Sequence, residues 1–182
     1  MSNYRRSDTP GGFYFFTVVT YRRRKILTEP ESRVALREVI DSVRQSSPFV
    51  IDAWVLLPEH LHCLWTLPPC DKGFAKRWRM IKAGFSKQVR ELFHREEWMN
   101  ETKIRRREST IWQRRYWEHQ IRNEEDYRRH MDYLHYNPVK HGLVKRVIDW
   151  PYSTFHRYMQ QGVYSGDWGG EAEDKMGAFG EI

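Results

Sequence analysis

Cysteine is nearly missing from this chain. Only Cys63 and Cys70 occur, too few to staple a small fold, and without a secretory leader they are expected as reduced thiols rather than a disulfide. Long apolar runs are missing as well. No stretch approaches the roughly 20 residues of a membrane span, and the start, "MSNYRRSDTPGG", has basic residues but no apolar segment of the signal-peptide kind. The expectation is a cytoplasmic protein with no membrane contact. Internal repeats are absent, and no linker marks off a second large domain. The paired H-x-[ST] motifs of a two-histidine phosphoesterase are absent too.

Acid is the scarcer charge. The chain has 182 residues with 31 Lys and Arg against 24 Asp and Glu, a net of +7. The imbalance is uneven: residues 161–182 hold five acids and one base, a net of −4, which leaves +11 on residues 1–160. The expected organisation is one domain over 1–160 and an acidic, Gly-rich tail over 161–182, whose residues 167–182 are readable either as a plain solubilising end or as a competitor of an anionic partner for the basic body. With 15% aromatic residues, that body suits nucleic acid, through phosphate neutralisation and base stacking.

Periodicity supplies the elements. "GGFYFFTVVTYR" (11–22) is β-branched and aromatic, a strand. Residues 29–47 carry Val34, Ala35, Ile40 and Val43 near helical spacing. "PFVIDAWVLL" (48–57) is a second strand, and Pro58-Glu59 turn into a third over 60–67. Residues 74–98 read as a long basic helix, 99–110 as an exposed loop, and 111–121 as a short edge strand. Residues 123–142 start with a cap-like Asn and acids and are expected to stop near Pro138. The order β-α-β-β-α-β-α implies an α+β, ferredoxin-like antiparallel sheet with helices packed on one face.

One stretch of the third strand stands out: "LLPEHLHCLW" (56–65). Residues two apart on a strand share a face. Leu61, Cys63, Trp65 and Leu67 would form the core face, and His60 and His62 would sit together on the other. Two solvated histidines explain that, and so does a two-nitrogen metal site. A zinc site from His60, His62, Cys63 and Cys70 is disfavoured because Cys63 points away from the histidines. On the last helix, at roughly 100° per residue, Tyr127, Met131 and Leu134 form the stripe expected against the sheet. His130, Tyr133 and Asn137 lie beside it, and Tyr136 further round. Tyr133 and Asn137 are thus one turn apart on a flank able to face the histidines, and the Asn137 carbonyl suits Mg²⁺ or Mn²⁺. Asn137-Pro138 is equally readable as a helix stop. Glu59 and His130 are candidates to assist proton transfer, against plainer readings as a turn residue and an exposed helix residue.

"PEHLHCLW" with "YLHYNPVKHG", supported by "GGFYFFT", "IWQRRYWEHQIR" and "DWPYSTFHRY", resembles the single-tyrosine HUH transposases, specifically the REP-associated tyrosine transposases, over roughly residues 4–168. The resemblance implies an HUH nuclease fold and a metal-dependent, single-stranded DNA endonuclease and strand transferase. It makes Tyr133 the nucleophile and His60, His62 and Asn137 the ligands of a divalent ion, Mg²⁺ or Mn²⁺. Insertion-sequence relatives usually have glutamine where Asn137 stands. The implied substrate is single-stranded DNA folded into REP-type hairpins, cleaved and rejoined through a 5′-phosphotyrosine, by a monomer. The alternative is a non-catalytic hairpin-binding module on the same fold. Lys76, Arg79, Lys82, Lys87, Arg105, Arg106, Arg107, Arg114 and Arg115 are the candidate backbone contacts. Arg5 and Arg6 are candidates for base reading from an amino-terminal arm.

Overall fold

The computed structural model describes residues 10–169. Arg5, Arg6 and the acidic stretch 170–182 lie outside the described residues. Four strands, β1 (Gly12–Val19), β2 (Val50–Leu56), β3 (His60–Leu67) and β4 (Trp117–Gln120), form a sheet of order β2-β3-β1-β4. Every neighbouring pair is antiparallel. The helices are α1 (Pro30–Ser46), α2 (Phe74–Gln88), α3 (Arg90–Phe93), α4 (Glu101–Arg105), α5 (Glu124–Lys140) and α6 (Phe155–Gln160). This is the α+β arrangement that the element order implies.

Alternation along the strands splits the core in two. Tyr14, Phe16, Val18, Leu61, Cys63 and Trp65 face α1 and α2, with the Trp65 and Trp78 rings stacked at 4.4 Å. Phe15, Ala53, Val55 and Leu64 face the other way, against Met131, Tyr133 and Leu134 of α5 and Phe155 of α6. A helix pair on one face is the expected half. The second face is covered as well, and that is the histidine face.

Three boundaries differ from the periodicity. The long helix breaks at Val89, whose φ of −99° and ψ of 15° leave the helix while its side chain is drawn to 2% exposure. Residues 99–110 are not all loop: Asn100 caps α4 by accepting from the Lys103 N–H, a local signal without an apolar period behind it. Helix α5 runs through Pro138 to Lys140. Proline so near the end removes one helical hydrogen bond, and the terminus is sealed beyond it. The Gly142 N–H bonds the Val139 carbonyl at 2.9 Å and the Leu143 N–H the Pro138 carbonyl at 2.9 Å. With Gly142 at φ +66°, this is a left-handed cap of the Schellman type.

The packed body also continues past residue 160. Tyr164 donates to Asp132 at 2.6 Å, and its ring lies 4.5 Å from Trp168 against Phe155. Aromatic area, which the charge count ignores, holds the start of the expected tail to the body.

Candidate active site and nucleic-acid interface

Register brings β1 and β3 together so that Val19 pairs with His60 and Thr17 with His62. The two imidazoles are 4.8 Å apart and nearly perpendicular. Both are buried, at 1% and 0% exposure, because α5 closes over them. Each has its Nδ1 held by a neighbour: Glu59 Oε1 lies 3.2 Å from Nδ1 of His60, and Thr17 Oγ1 lies 2.8 Å from Nδ1 of His62. Such outer partners fix the ring orientation, and a metal at this place would take Nε2 of each ring. The His60 hydrogen bond holds the Glu59 carboxyl below its usual range despite partial burial.

Across from them, Tyr133, Asn137 and His141 recur every four residues along one stripe of α5 and its cap. The Tyr133 ring is 5.3 Å from that of His62, and the His141 ring is 5.0 Å from that of His60. Asn137, fully buried, sits midway along a stripe whose two ends touch the two histidines. Tyr133 is therefore not on a flank beside the buried face; it is at 0% exposure within it. Tyr127, expected in the core, is half-buried at the rim, its ring edge-on to Phe13. Tyr136, expected at the periphery, is buried at 8% where Gly169 closes over its ring. The helix is rotated toward the histidines relative to the phase that apolar residues alone suggest. Lys140 brings its ammonium 3.4 Å from the Tyr133 hydroxyl and 4.7 Å from the ring centroid.

The donor set fits a divalent ion. His60 Nε2 is buried and makes no hydrogen bond, a costly state for an imidazole nitrogen unless something ligates it. His60, His62 and Asn137 would supply two nitrogens and an amide oxygen.

A second cluster escaped the sequence reading. His119 on β4, with Asp126 and His130 on α5, places ligand-type atoms within 4.8 Å of one another. His119 Nε2 is 2.8 Å and His130 Nδ1 3.1 Å from the Asp126 carboxylate. These are hydrogen-bond lengths, and the cluster works as a clamp from β4 to α5. His130 is thus not an exposed helix residue but 1% exposed, and burial lowers its pKa. An Asp and a His four apart on a helix were the available signal.

The candidate backbone contacts only partly converge. Arg79, Lys82, Lys87, Arg107 and Arg114 line a groove of about 560 Å³ between α2 and residues 107–116, floored by Trp112. Lys76, Arg105, Arg106 and Arg115 are exposed outside that lining. Lys82 is a strut, bonding the Gln113 carbonyl at 2.6 Å. Residues 22–25, the longest unbroken basic run of the chain, trail β1 and lie outside that groove.

A four-stranded antiparallel sheet with a histidine pair facing a helical tyrosine defines the class, and a family model described as "Transposase IS200 like" matches residues 12–137. The REP-associated tyrosine transposase of Escherichia coli (strain K12) is 48% identical over 174 residues, covering 96% of this chain and 94% of that protein. A solved structure of the REP-associated tyrosine transposase bound to a REP hairpin shares 46% identity, with a TM-score of 0.79 over 98% of both chains. The chain belongs to the REP-associated tyrosine transposases, a branch of the IS200-like transposases, and is a DNA-processing enzyme by family. No helix among the described residues is long and apolar enough to cross a membrane.

Proposed function

We propose that the protein cleaves and rejoins single-stranded DNA at REP-type hairpins, with Tyr133 as nucleophile. The observation that carries this reading is the packing of the Tyr133 ring on His62, both buried, with His60 alongside. The phenol oxygen attacks the phosphodiester in line. A P–O bond to Tyr133 forms as the bond to the 3′ oxygen breaks, giving a 5′-phosphotyrosine and a free 3′-OH. Lys140 sets positive charge where the attacking phenolate develops, and α5 excludes water from around it. The linkage conserves the phosphodiester's energy, so a second 3′-OH reverses the step and joins strands. A divalent ion held by His60, His62 and Asn137 would polarise the phosphate oxygen as a Lewis acid. Glu59 and Thr17 keep the two rings in the ligating orientation.

The substrate follows from the relative bound to a REP hairpin and from the basic groove at α2. Incubation with labelled hairpin and Mg²⁺ or Mn²⁺ tests the reading. A covalent protein–DNA adduct is expected, lost in Tyr133→Phe with binding kept within a few-fold. Binding without any adduct would instead make the chain a non-catalytic hairpin module. An adduct that survives Tyr133→Phe and disappears in Tyr136→Phe would overturn the nucleophile.

A further inference from the structure

The junction of β4 and α5 carries a second set of metal-ligand atoms, apart from the histidine pair of β3. His119 comes from β4, and Asp126 and His130 lie one turn apart on the same side of α5. The Asp126 carboxylate spans the two rings. Its Oδ2 is 2.8 Å from Nε2 of His119, and its Oδ1 is 3.1 Å from Nδ1 of His130. Around a four-coordinate zinc ion, with bonds of about 2.0–2.2 Å, neighbouring ligand atoms stand about 3.3 Å apart. Both nitrogen–oxygen pairs are therefore already close to ligand spacing. All three donor atoms lie within 4.8 Å of one another, so small ring rotations bring the nitrogens onto one ion.

The donors are oriented by their surroundings. The two imidazoles stack at 4.5 Å with 12° between their planes, and the Trp117 ring lies at 4° to His119. The Arg122 N–H donates to Asp126 Oδ2 at 3.0 Å, an outer bond of the kind that aims a ligating carboxylate. Protonation suits a cation as well. Burial works against the Asp126 anion, yet the hydrogen bonds from His119 and the Arg122 amide hold its carboxyl below the ordinary range. Burial lowers His130 likewise, and metal ligation needs an ionised carboxylate and neutral imidazoles. Two nitrogens with one oxygen favour Zn²⁺ and its transition-metal neighbours over Mg²⁺ or Mn²⁺. The His119 and Asp126 side chains are 22% and 20% exposed, which gives an ion its entry and leaves a fourth position for water.

We infer that His119, Asp126 and His130 form a binding site for a transition-metal ion of the zinc class, which staples α5 to the sheet beside the tyrosine–histidine site. The ion takes the place of the proton that each ring shares with the carboxylate, and each neutral imidazole then carries its proton on the other nitrogen. His130 Nδ1, 2.8 Å from the Asp126 carbonyl, gives up that contact for the ion. Strand β1 ties the staple to the reaction site. Phe15 pairs with His119, and Thr17, two residues on, pairs with His62, a spacing of about 7 Å along the strand. The Phe15 ring lies 4.9 Å from that of His130, 5.4 Å from His62 and 6.1 Å from Tyr133. The staple thus fixes α5 one turn before Tyr133. It goes beyond the cleavage reading and does not depend on it.

The test uses the full chain, free of affinity tags and stripped of metal. Because His60 and His62 also suit zinc, His60→Ala/His62→Ala is the background. It is compared with the same chain carrying His119→Gln, which keeps a donor for Asp126, or Asp126→Asn, which keeps the size and removes the anion. Bound Zn²⁺ is counted by equilibrium dialysis, and melting is followed with and without it. The background should hold one Zn²⁺ per chain in the presence of excess Mg²⁺. At about 100 times its dissociation constant, Zn²⁺ should raise the melting temperature by about 5–10 °C. Each added substitution should weaken binding by at least about tenfold and remove the shift. No Zn²⁺ on the background, displacement by Mg²⁺, or equal binding by the substituted chains overturns the site. If the background does not fold, the wild type decides. Loss of one equivalent between wild type and His119→Gln supports the site, and an unchanged count overturns it.

Discussion

At the scale of single residues, the site depends on groups that touch no substrate. Thr17 is buried at 1% beneath the histidines, and its hydroxyl lies 2.8 Å from Nδ1 of His62. Thr17→Val keeps the shape and removes the partner. Losing such an outer hydrogen bond typically weakens metal binding by about 10–100-fold. The Mn²⁺ concentration for half-maximal adduct formation should therefore rise by at least about tenfold, with the melting temperature nearly unchanged. An unaltered metal titration would show that Thr17 does not orient His62.

His135 offers a residue-scale prediction about stability. It is fully buried, its Nε2 lies 3.0 Å from Thr154 Oγ1, and desolvation depresses its pKa to about 3. The sign follows from linkage. Between about pH 6.5, where the unfolded histidine titrates, and about 3 in the fold, the unfolded chain binds the extra proton. Stability should therefore fall as pH drops through that window, by up to about 1.4 kcal/mol per unit. His135→Phe should flatten this slope in denaturant titrations. An equal slope in both proteins would assign the acid sensitivity elsewhere.

Elements are governed by how closely they approach. Helices α1 and α2 cross where Gly84 faces Val39; a Cβ at Gly84 would stand 2.9 Å from Val39 Cγ1. Alanine is favoured over glycine within a helix by about 1 kcal/mol, but overpacking a stiff valine costs about 1–3 kcal/mol. Gly84→Ala should thus destabilise the wild type and stabilise the Val39→Ala background. A double-mutant cycle reads the coupling directly, and additive effects would mean that the helices simply move apart.

The same scale explains what was legible beforehand. Strand alternation and helical runs carry the four strands and the principal helices, because burial writes a period into them. The same period puts His60 and His62 side by side on one face of β3, whereas Tyr133 and Asn137 are singled out by the resemblance and not by any period. Caps are written in one or two residues, so no period announces Asn100 or the Gly142 seal, and α4 has the composition of a loop. The phase of α5 departs from the apolar period because Tyr133 and His130 are buried against histidine and aromatic rings rather than aliphatic side chains. An apolar stripe therefore pointed to Tyr127. His119 and Asp126 meet only through the fold.

At the scale of the whole molecule, the question is whether one chain completes its own site. Tyr133 and the histidine pair are brought together by a single fold, with α5 lying on the sheet that carries His60 and His62. The connection from β4 to α5 is short, Ile121 to Asn123. It is further tied by the hydrogen bond between His119 and Asp126 at 2.8 Å. Exchanging α5 between two copies would have to break that clamp and uncover the buried face formed by Phe15, Tyr133 and Leu134. We therefore expect a monomer acting in cis. Mixing His60→Ala/His62→Ala with Tyr133→Phe decides it, since each chain then lacks what the other retains. The mixture should form no adduct at any ratio. Partial recovery, rising with total protein concentration, would show that α5 is exchanged and that the working enzyme is a dimer.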